Sequence, residues 1–523
     1  MVSAAFGGRF VDRNQSRSPS TFASPASSLR VVKGRVRSTS VALVLVAMAA
    51  CRPPPEGPPD AGTTSPLYEN DPSLMFYNFN GTTALVAAYD DQSGLATADT
   101  QSQTLTPITH ASADGVSISR DLGATWTKLG AIAPASADCG DPTCAIALAG
   151  SPSLSPQETL PYVSYASLAY TRPGLAAPDA IATSWSEDLT TWSAPRIVGT
   201  VPGGAPSRPS YARQLEVALI VYTDPSTGAL YVGSSLANPP SFDVEQPYIA
   251  TVDQPKPKDK PIVRVTSKTS AHVAYMIPHD SDGTQFDLQI IDLFRNVDAN
   301  GEASPWDSGT IFRFAGIAVD PTLPGALGRS WRDAYPYSFE VGDGGTHYYI
   351  AFRERSTTTG QSTVFLVDCD ATLQSNCSTD DQGYAGDAWR MRAFPSLYGG
   401  GQYMPVIAAD WTSSAVSIAW LEQASPGSTE MTMAGILSID DGDHFTAPRD
   451  LRTTSGGPWT PCPTAGVVAG TIHSYGEHIA SMVLPWSGGQ TEPTVITAHP
   501  DSSGGCMAWG QLTYDQHIGV ETW

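Results

Sequence analysis

The sequence predicts an all-β chain folded as a seven-bladed β-propeller of four-stranded blades. Three observations carry this: regularly spaced prolines, short β-branched and aromatic runs between them, and no sustained helical periodicity. Pro72, Pro142, Pro209, Pro261, Pro336, Pro405 and Pro463 each stand just before or at the head of an apolar run, 52–75 residues apart. That interval suits one four-stranded blade with long loops. Proline lacks the N–H that a central strand needs but is tolerated at a strand's first residue, so each one marks where a blade begins. Six blades is the alternative if one mark is accidental. The runs 84–89, 216–222, 272–275, 347–352 and 416–420 follow a blade's proline by about one strand and a turn, and so read as second strands. Gly344-Gly345, Gly399-Gly400-Gly401 and Gly504-Gly505 read as hairpin turns.

The chain divides into three segments: an N-terminal extension with a signal peptide at 1–50, a Pro-rich tether at 51–67, and the propeller at 68–523. Although 523 residues exceed the usual domain size, a closed propeller accommodates them because each blade adds its own core. The basic stretch Val32-Lys33-Gly34-Arg35-Val36-Arg37 precedes a short apolar run, as in an export signal. Residues 1–31 are too long and polar for an ordinary leader start, which places the expected start of translation near Val31 or Val32. The apolar run is too short to span a bilayer. It ends in Val46-Ala47-Met48-Ala49-Ala50-Cys51, which resembles the bacterial lipobox. That resemblance implies cleavage before Cys51 and acylation of its thiol, the alternative being a plain signal peptide with an incidental cysteine. The proline-rich stretch that follows forms an extended spacer. Arg52 stands where an inner-membrane retention Asp would be, so an outer-membrane lipoprotein of the cell envelope is expected.

Charge narrows the partners. Residues 1–50 hold seven of the 29 Lys and Arg but one of the 51 Asp and Glu, which leaves 22 basic against 50 acidic residues and a formal charge of −28. Such a body is repelled by nucleic acid and anionic lipid surfaces, and membrane contact falls to the lipid anchor. Beyond Cys51 six cysteines remain, an even number that suits an oxidising compartment. Sequence proximity favours the pairs Cys139–Cys144, Cys369–Cys377 and Cys462–Cys506 among 15 arrangements. No Cys-x-x-Cys and no His-Glu-x-x-His occurs, so no metal centre is expected. A structural Ca²⁺ is the one cofactor candidate, at Asp298-Ala299-Asn300-Gly301-Glu302 or Asp368-Cys369-Asp370, neither of which completes a calcium loop. There is no Gly-x-Ser-x-Gly elbow and no phosphate-cradling glycine loop.

One turn recurs. Ser119-Arg120-Asp121-Leu122-Gly123-Ala124-Thr125-Trp126 carries Ser-x-Asp-x-Gly-x-Thr-Trp. Ser438, Asp440, Gly442 and Phe445 repeat its serine, carboxylate, glycine and aromatic residue, and Ser186-Glu187-Asp188-Leu189-Thr190-Thr191-Trp192 is a shortened copy without the glycine. An Asp carboxylate accepts hydrogen bonds from its own turn, Gly takes positive φ, and the aromatic ring packs between strands. The pattern resembles the Asp box (BNR repeat) of sialidase-like propellers. The resemblance implies that each box joins a blade's third and fourth strands on the face away from the active site, so Asp121, Asp188 with Trp192, and Asp440 are turn formers.

The same topology assigns the ligand face. Loops leading into first strands offer Asp71, Asp141, Arg208, Asp259, Lys260, Arg332, Asp333 and Tyr335; loops after second strands offer Asp90, Asp91, His279, Asp280, Asp282, Arg353, Glu354, Arg355 and Glu422. Such a ring suits a polyhydroxylated or carboxylated ligand held by charge-assisted hydrogen bonds. Sialidases use three arginines, an Asp acid/base and a Glu-activated Tyr, with the first arginine in a Phe/Tyr-Arg-Ile-Pro motif. Here the first blade begins Asn70-Asp71-Pro72-Ser73, with no arginine between Arg52 and Arg120. The expectation is therefore a monomeric propeller that binds an extracellular glycan or envelope protein at its channel mouth without catalysis. The rival is an exo-acting glycoside hydrolase pairing Asp90 or Asp141 with Glu354 or Glu422. A third reading is a structural scaffold with a plugged channel.

Overall fold

Strands that read as unbroken apolar runs must be covered on both faces. Val217–Asp224, Val416–Gln423 and Met431–Ser438 are buried along their whole length. The computed structural model describes residues 69–523 with breaks, the longest at 137–144, 243–258, 320–335, 378–388 and 452–478. It explains the burial: seven antiparallel sheets succeed one another along the chain, each sandwiched between two others.

Blade 1 pairs Glu69–Phe79, Thr82–Asp91, Asp114–Ser119 and Thr127–Ala131 in that order. In blade 2 the inner strand is split into Ala145–Leu148 and Ser153–Leu154, both paired to Val163–Tyr170, followed by Ala180–Ser186 and Arg196–Thr200. Blade 3 has Ser210–Gln214, Val217–Asp224 and Ala229–Ser235. Blade 4 runs Asp259–Ser267, Ser270–Pro278, Gln285–Phe294 and Asp307–Ala318, and blade 5 runs Tyr337–Gly342, His347–Arg355, Ser362–Asp370 and Arg390–Ala393. Blade 6 comprises Gln402–Ala409, Val416–Gln423, Met431–Ser438 and Arg449–Asp450. Blade 7 contributes Ala480–Val483, Val495–Asp501 and His517–Thr522. Among the described residues the sheets share no ladder across most seams and are joined by apolar cores instead. Ring closure shows this: Leu74, Phe76 and Leu85 of blade 1 pack against Met482, Leu484 and Ile496 of blade 7.

Five of the proline marks head inner strands. Pro209 and Pro336 stand immediately before theirs, whereas Pro72, Pro261 and Pro405 sit inside register shifts, between Asn70 and Ser73, Asp259 and Ile262, and Tyr403 and Val406. A bulge is where a residue without N–H leaves the ladder least disturbed. The other two marks fall outside the described residues. Pro142 is one, and the proline that heads the axial segment of blade 2 is Pro152, directly before Ser153–Leu154. Pro463 also lies outside them, and the inner strand of blade 7 starts at Ala480 with no proline before it. Gly344 and Gly345, at φ of 64° and 96°, do make a hairpin turn. Gly399-Gly400-Gly401 instead link the outer strand of blade 5 to the inner strand of blade 6. Gly is needed there because a Cβ at Gly400 would lie 2.3 Å from the Gln423 carbonyl oxygen. Gly504-Gly505 fall outside the described residues.

Around the axis the inner strands are stitched together by serines. Ser73 Oγ accepts the N–H of Leu154 at 2.9 Å, Ser153 that of Tyr211 at 3.0 Å, Ser210 that of Val263 at 2.9 Å and Ser338 that of Ile407 at 3.2 Å. In each case a hydroxyl of one blade accepts a main-chain amide of the next blade's inner strand. Ser210→Ala orphans the buried Val263 amide, and a loss of about 1–3 kcal/mol is expected in chemical denaturation. An unchanged midpoint would show that water replaces the hydroxyl.

The described cysteines form the expected bond Cys369–Cys377, whereas Cys139, Cys144, Cys462 and Cys506 lie outside the described residues.

Candidate functional site

The inner strands form a wall around the axis, and side chains two apart on a strand point into the same seam between blades. The wall encloses a cavity of about 80 Å³, lined from all seven blades. At one level stand Ser73, Ser153, Ser210 and Ser338, with Ser481 contributed by blade 7. Two residues further along their strands come Arg264 and Glu340, which form an ion pair at 2.7 Å across the seam of blades 4 and 5. Arg208, two residues before Ser210, completes the lining and donates from Nη2 to the Pro152 carbonyl at 2.7 Å. The charged lining is thus two guanidiniums and one carboxylate, a positive balance in a chain of formal charge −22. Each of the four stitching serines uses an oxygen lone pair for the neighbouring blade and keeps its own hydroxyl proton for another acceptor.

The remaining sequence candidates do not gather there. Lys260 is buried at φ +51° with its amide on Asp259 Oδ1 at 2.8 Å, and its carbonyl receives the Tyr337 hydroxyl. Arg353 is 1% exposed, its guanidinium 5.6 Å from the Tyr403 ring of blade 6. Arg355 is exposed and donates to the Gly360 carbonyl at 3.3 Å. Asp141, Arg332, Asp333 and Tyr335 lie outside the described residues, as do Asp280 and Asp282. Asp71 belongs to the first strand, and its side chain is likewise outside. Glu422 is fully buried, with Ser396 Oγ and the Tyr398 amide on Oε1 at 2.5 and 2.7 Å and Trp420 Nε1 on Oε2 at 2.9 Å. Arg264 and Glu340 lie within inner strands and were missed by loop-based reasoning.

Three carboxylates cluster at the blade 1–2 seam. Asp90 faces Asp114 across the ladder, and Asp91 is paired with Lys128 at 3.0 Å. Burial raises the Asp114 carboxyl to about 7, opposed by the Gly150 amide, which donates to Oδ1 at 2.9 Å, and by the nearby Ser167 and Tyr165 hydroxyls. Gly150, at φ +92°, has no room for a Cβ, which would lie 2.7 Å from Asp90 Oδ1.

On the same face, the loop after the second strand of blade 4 carries His279. Its Nδ1 is 2.6 Å from Oδ1 of Asp287, whose Oδ2 receives Arg313 Nη2 at 2.9 Å. Burial alone would raise the Asp287 carboxyl, but the hydrogen bonds from Arg313, Gly316 and His279 outweigh it and hold the carboxyl below its usual range. Glu354 of blade 5 is raised by burial, opposed by the Ala318 amide. Asp287 and Arg313 carried no sequence signal, because both sit within ordinary strands.

The opposite face carries the recurring turns. Asp121 Oδ1 accepts the Ser119 hydroxyl and the Thr125 amide, each at 2.8 Å, and Ser119 Oγ accepts the Gly123 amide at 2.7 Å. Asp440 does the same with Ser438 at 2.8 Å and the His444 amide at 2.9 Å, and the Gly442 amide donates to Ser438. In the shortened turn Asp188 accepts the amides of Thr190 and Thr191, and Leu189 takes the positive φ of 65°. Trp126 is buried, while Trp192 packs edge-on to Tyr165 and Phe445 edge-on to Phe394. All three turns join third to fourth strands. Of the calcium candidates, Asp368 is engaged by Arg390 and Arg392, and part of 298–302 lies outside the described residues.

Neither a protein-family model nor a curated protein matches the sequence. Among solved structures, an ulvan lyase described as a new family of polysaccharide lyase is 10% identical with a TM-score of 0.44, over 88% of this chain and 94% of its own. A mutant Trypanosoma rangeli sialidase displaying trans-sialidase activity is 12% identical at 0.31, over 58% of this chain and 45% of its own. The α-L-arabinofuranosidase catalytic domain of Coprinopsis cinerea is 14% identical at 0.28, over 65% and 93%.

Proposed function

We propose that this propeller is an exported, lipid-anchored envelope protein that binds an acidic extracellular glycan at its channel mouth without cleaving it. The observation that carries the reading is the axial lining: Arg208 and a ring of serine hydroxyls with protons to donate, in a small cavity whose charge opposes that of the chain. Converging N–H and O–H donors select a carboxylate or sulfate over a neutral hydroxyl. The cavity admits the acidic group and not a whole sugar ring, so the rest of the glycan lies across the mouth. The address rests on the leader and Cys51, and is tested by labelling cells with a fatty-acid analogue in the parent and in Cys51→Ser.

Binding is measured by calorimetry with oligogalacturonate, and with the same oligosaccharide after reduction of its carboxyls. The acidic form is expected to bind and the reduced form to fail. Arg208→Ala removes a charge-assisted donor, and its affinity is expected to fall about 10- to 100-fold. A scaffold with a plugged channel predicts no binding by either form, and the Arg264–Glu340 ion pair in the lining is the feature that favours that reading. Equal binding of acidic and reduced forms would sink the anion-selective site.

A further inference from the structure

His279 follows the second strand of blade 4 directly, and its imidazole is fixed from one side only. Asp287 is fully buried and accepts three donors: Arg313 Nη2 at 2.9 Å, the Gly316 amide at 2.9 Å and His279 Nδ1 at 2.6 Å. With that carboxylate held ionised, the imidazole proton resides on Nδ1 and the lone pair on Nε2. The side chain is 42% exposed, and among the described residues Nε2 has no hydrogen-bond partner. Gly316 takes a φ of +72°, which suits glycine, and its amide donates to the same carboxylate as His279. A basic nitrogen facing solvent, backed by a buried carboxylate on the other ring nitrogen, is the arrangement of a general base.

The geometry points to a second, chemical site on the ligand face: His279 is a catalytic base for hydrolysis of acyl esters on a polyhydroxylated ligand, with Asp287, Arg313 and Gly316 as positioning residues. Nε2 takes a proton from water as the water oxygen bonds to the acyl carbon. The imidazolium then returns that proton to the departing alkoxide as the acyl C–O bond breaks. Acid and alcohol leave, and the imidazole is restored. Ester cleavage suits the site because one base serves both proton transfers, whereas glycosidic cleavage needs an acid and a base on opposite sides of the bond. Glu354, across the same strand end, has its carboxylate turned to the Ala318 amide.

The test uses p-nitrophenyl acetate, an activated ester that needs no sugar recognition, with the purified full-length protein. His279→Gln is expected to lower the rate at least about tenfold with an unchanged thermal midpoint. Added imidazole is expected to restore His279→Ala. Nitrogen-15 NMR of wild type should show His279 protonated at Nδ1, and Asp287→Asn should lose both that signature and the rate. A His279→Gln rate equal to wild type overturns the base; an Asp287→Asn protein that keeps rate and tautomer overturns the positioning. Neither result touches oligogalacturonate binding, which Arg208 tests separately.

Discussion

Glu422→Ala is expected to destabilise the protein by about 3–5 kcal/mol, because removing one side of a buried polar network leaves its partners unmatched. The residue is fully buried in blade 6, and three donors depend on it: the Ser396 hydroxyl, the Tyr398 amide and the Trp420 indole. Trp420 is itself 0% exposed and stacks on Phe394 at 6.3 Å. Losing the carboxylate therefore strands the indole N–H inside the core of blades 5 and 6. Glu422→Gln keeps one acceptor but turns an amide N–H₂ toward a donor, so an intermediate loss is expected. Chemical denaturation reads both variants, and oligogalacturonate affinity should stay at the wild-type value for each. A catalytic carboxylate behaves in the opposite way, since its neutral isostere folds normally and loses turnover. A Glu422→Gln protein with a wild-type midpoint and altered ligand chemistry would return Glu422 to the list of reacting groups.

This contrast explains what the sequence makes legible. Prolines and apolar runs are local signals, and the runs at 84–89, 272–275, 347–352 and 416–420 lie within observed second strands, with 216–222 overlapping one from Val217 on. In blade 2 the inner strand is broken and Pro152 stands directly before its axial half, while Pro142, the mark read from the sequence, lies outside the described residues. Charged loop residues were a poorer guide to the site. Arg353 and Glu422 carry the right chemistry at the right face, but the seam between blades absorbs them. Arg264 and Glu340 line the axial cavity because both sit on inner strands and pair across the seam between them, a placement that can be read once the inner strands are known. The His279–Asp287 pair was half visible: His279 stood among the loop candidates, but only the fold brings Arg313 and Gly316, 26 and 29 residues beyond Asp287, to that carboxylate.

The pH dependence of stability offers the second large effect. The Asp114 carboxyl titrates at about 7 in the folded chain because burial disfavours its charge, against an ordinary value of 3.8. The folded state therefore holds this proton more tightly than the unfolded one. Its contribution is complete below about pH 4 and is lost progressively as pH rises to about 7, a swing on the order of 4 kcal/mol. Asp287 and Asp368 act in the opposite sense. Both are held below the usual carboxylate range, so their contributions are present at neutral pH and lost as the medium becomes acid. Asp114→Asn keeps an acceptor for the Gly150 amide, at 2.9 Å in the parent, and removes the titration. Denaturation midpoints measured from pH 4 to 8 should show wild type losing ground to Asp114→Asn up to pH 7, with a constant difference above it. A difference that does not change with pH would mean that the seam of blades 1 and 2 admits enough water to ionise Asp114 without cost. The carboxylates around Asp90 would then belong to the open mouth and not to the ring's core.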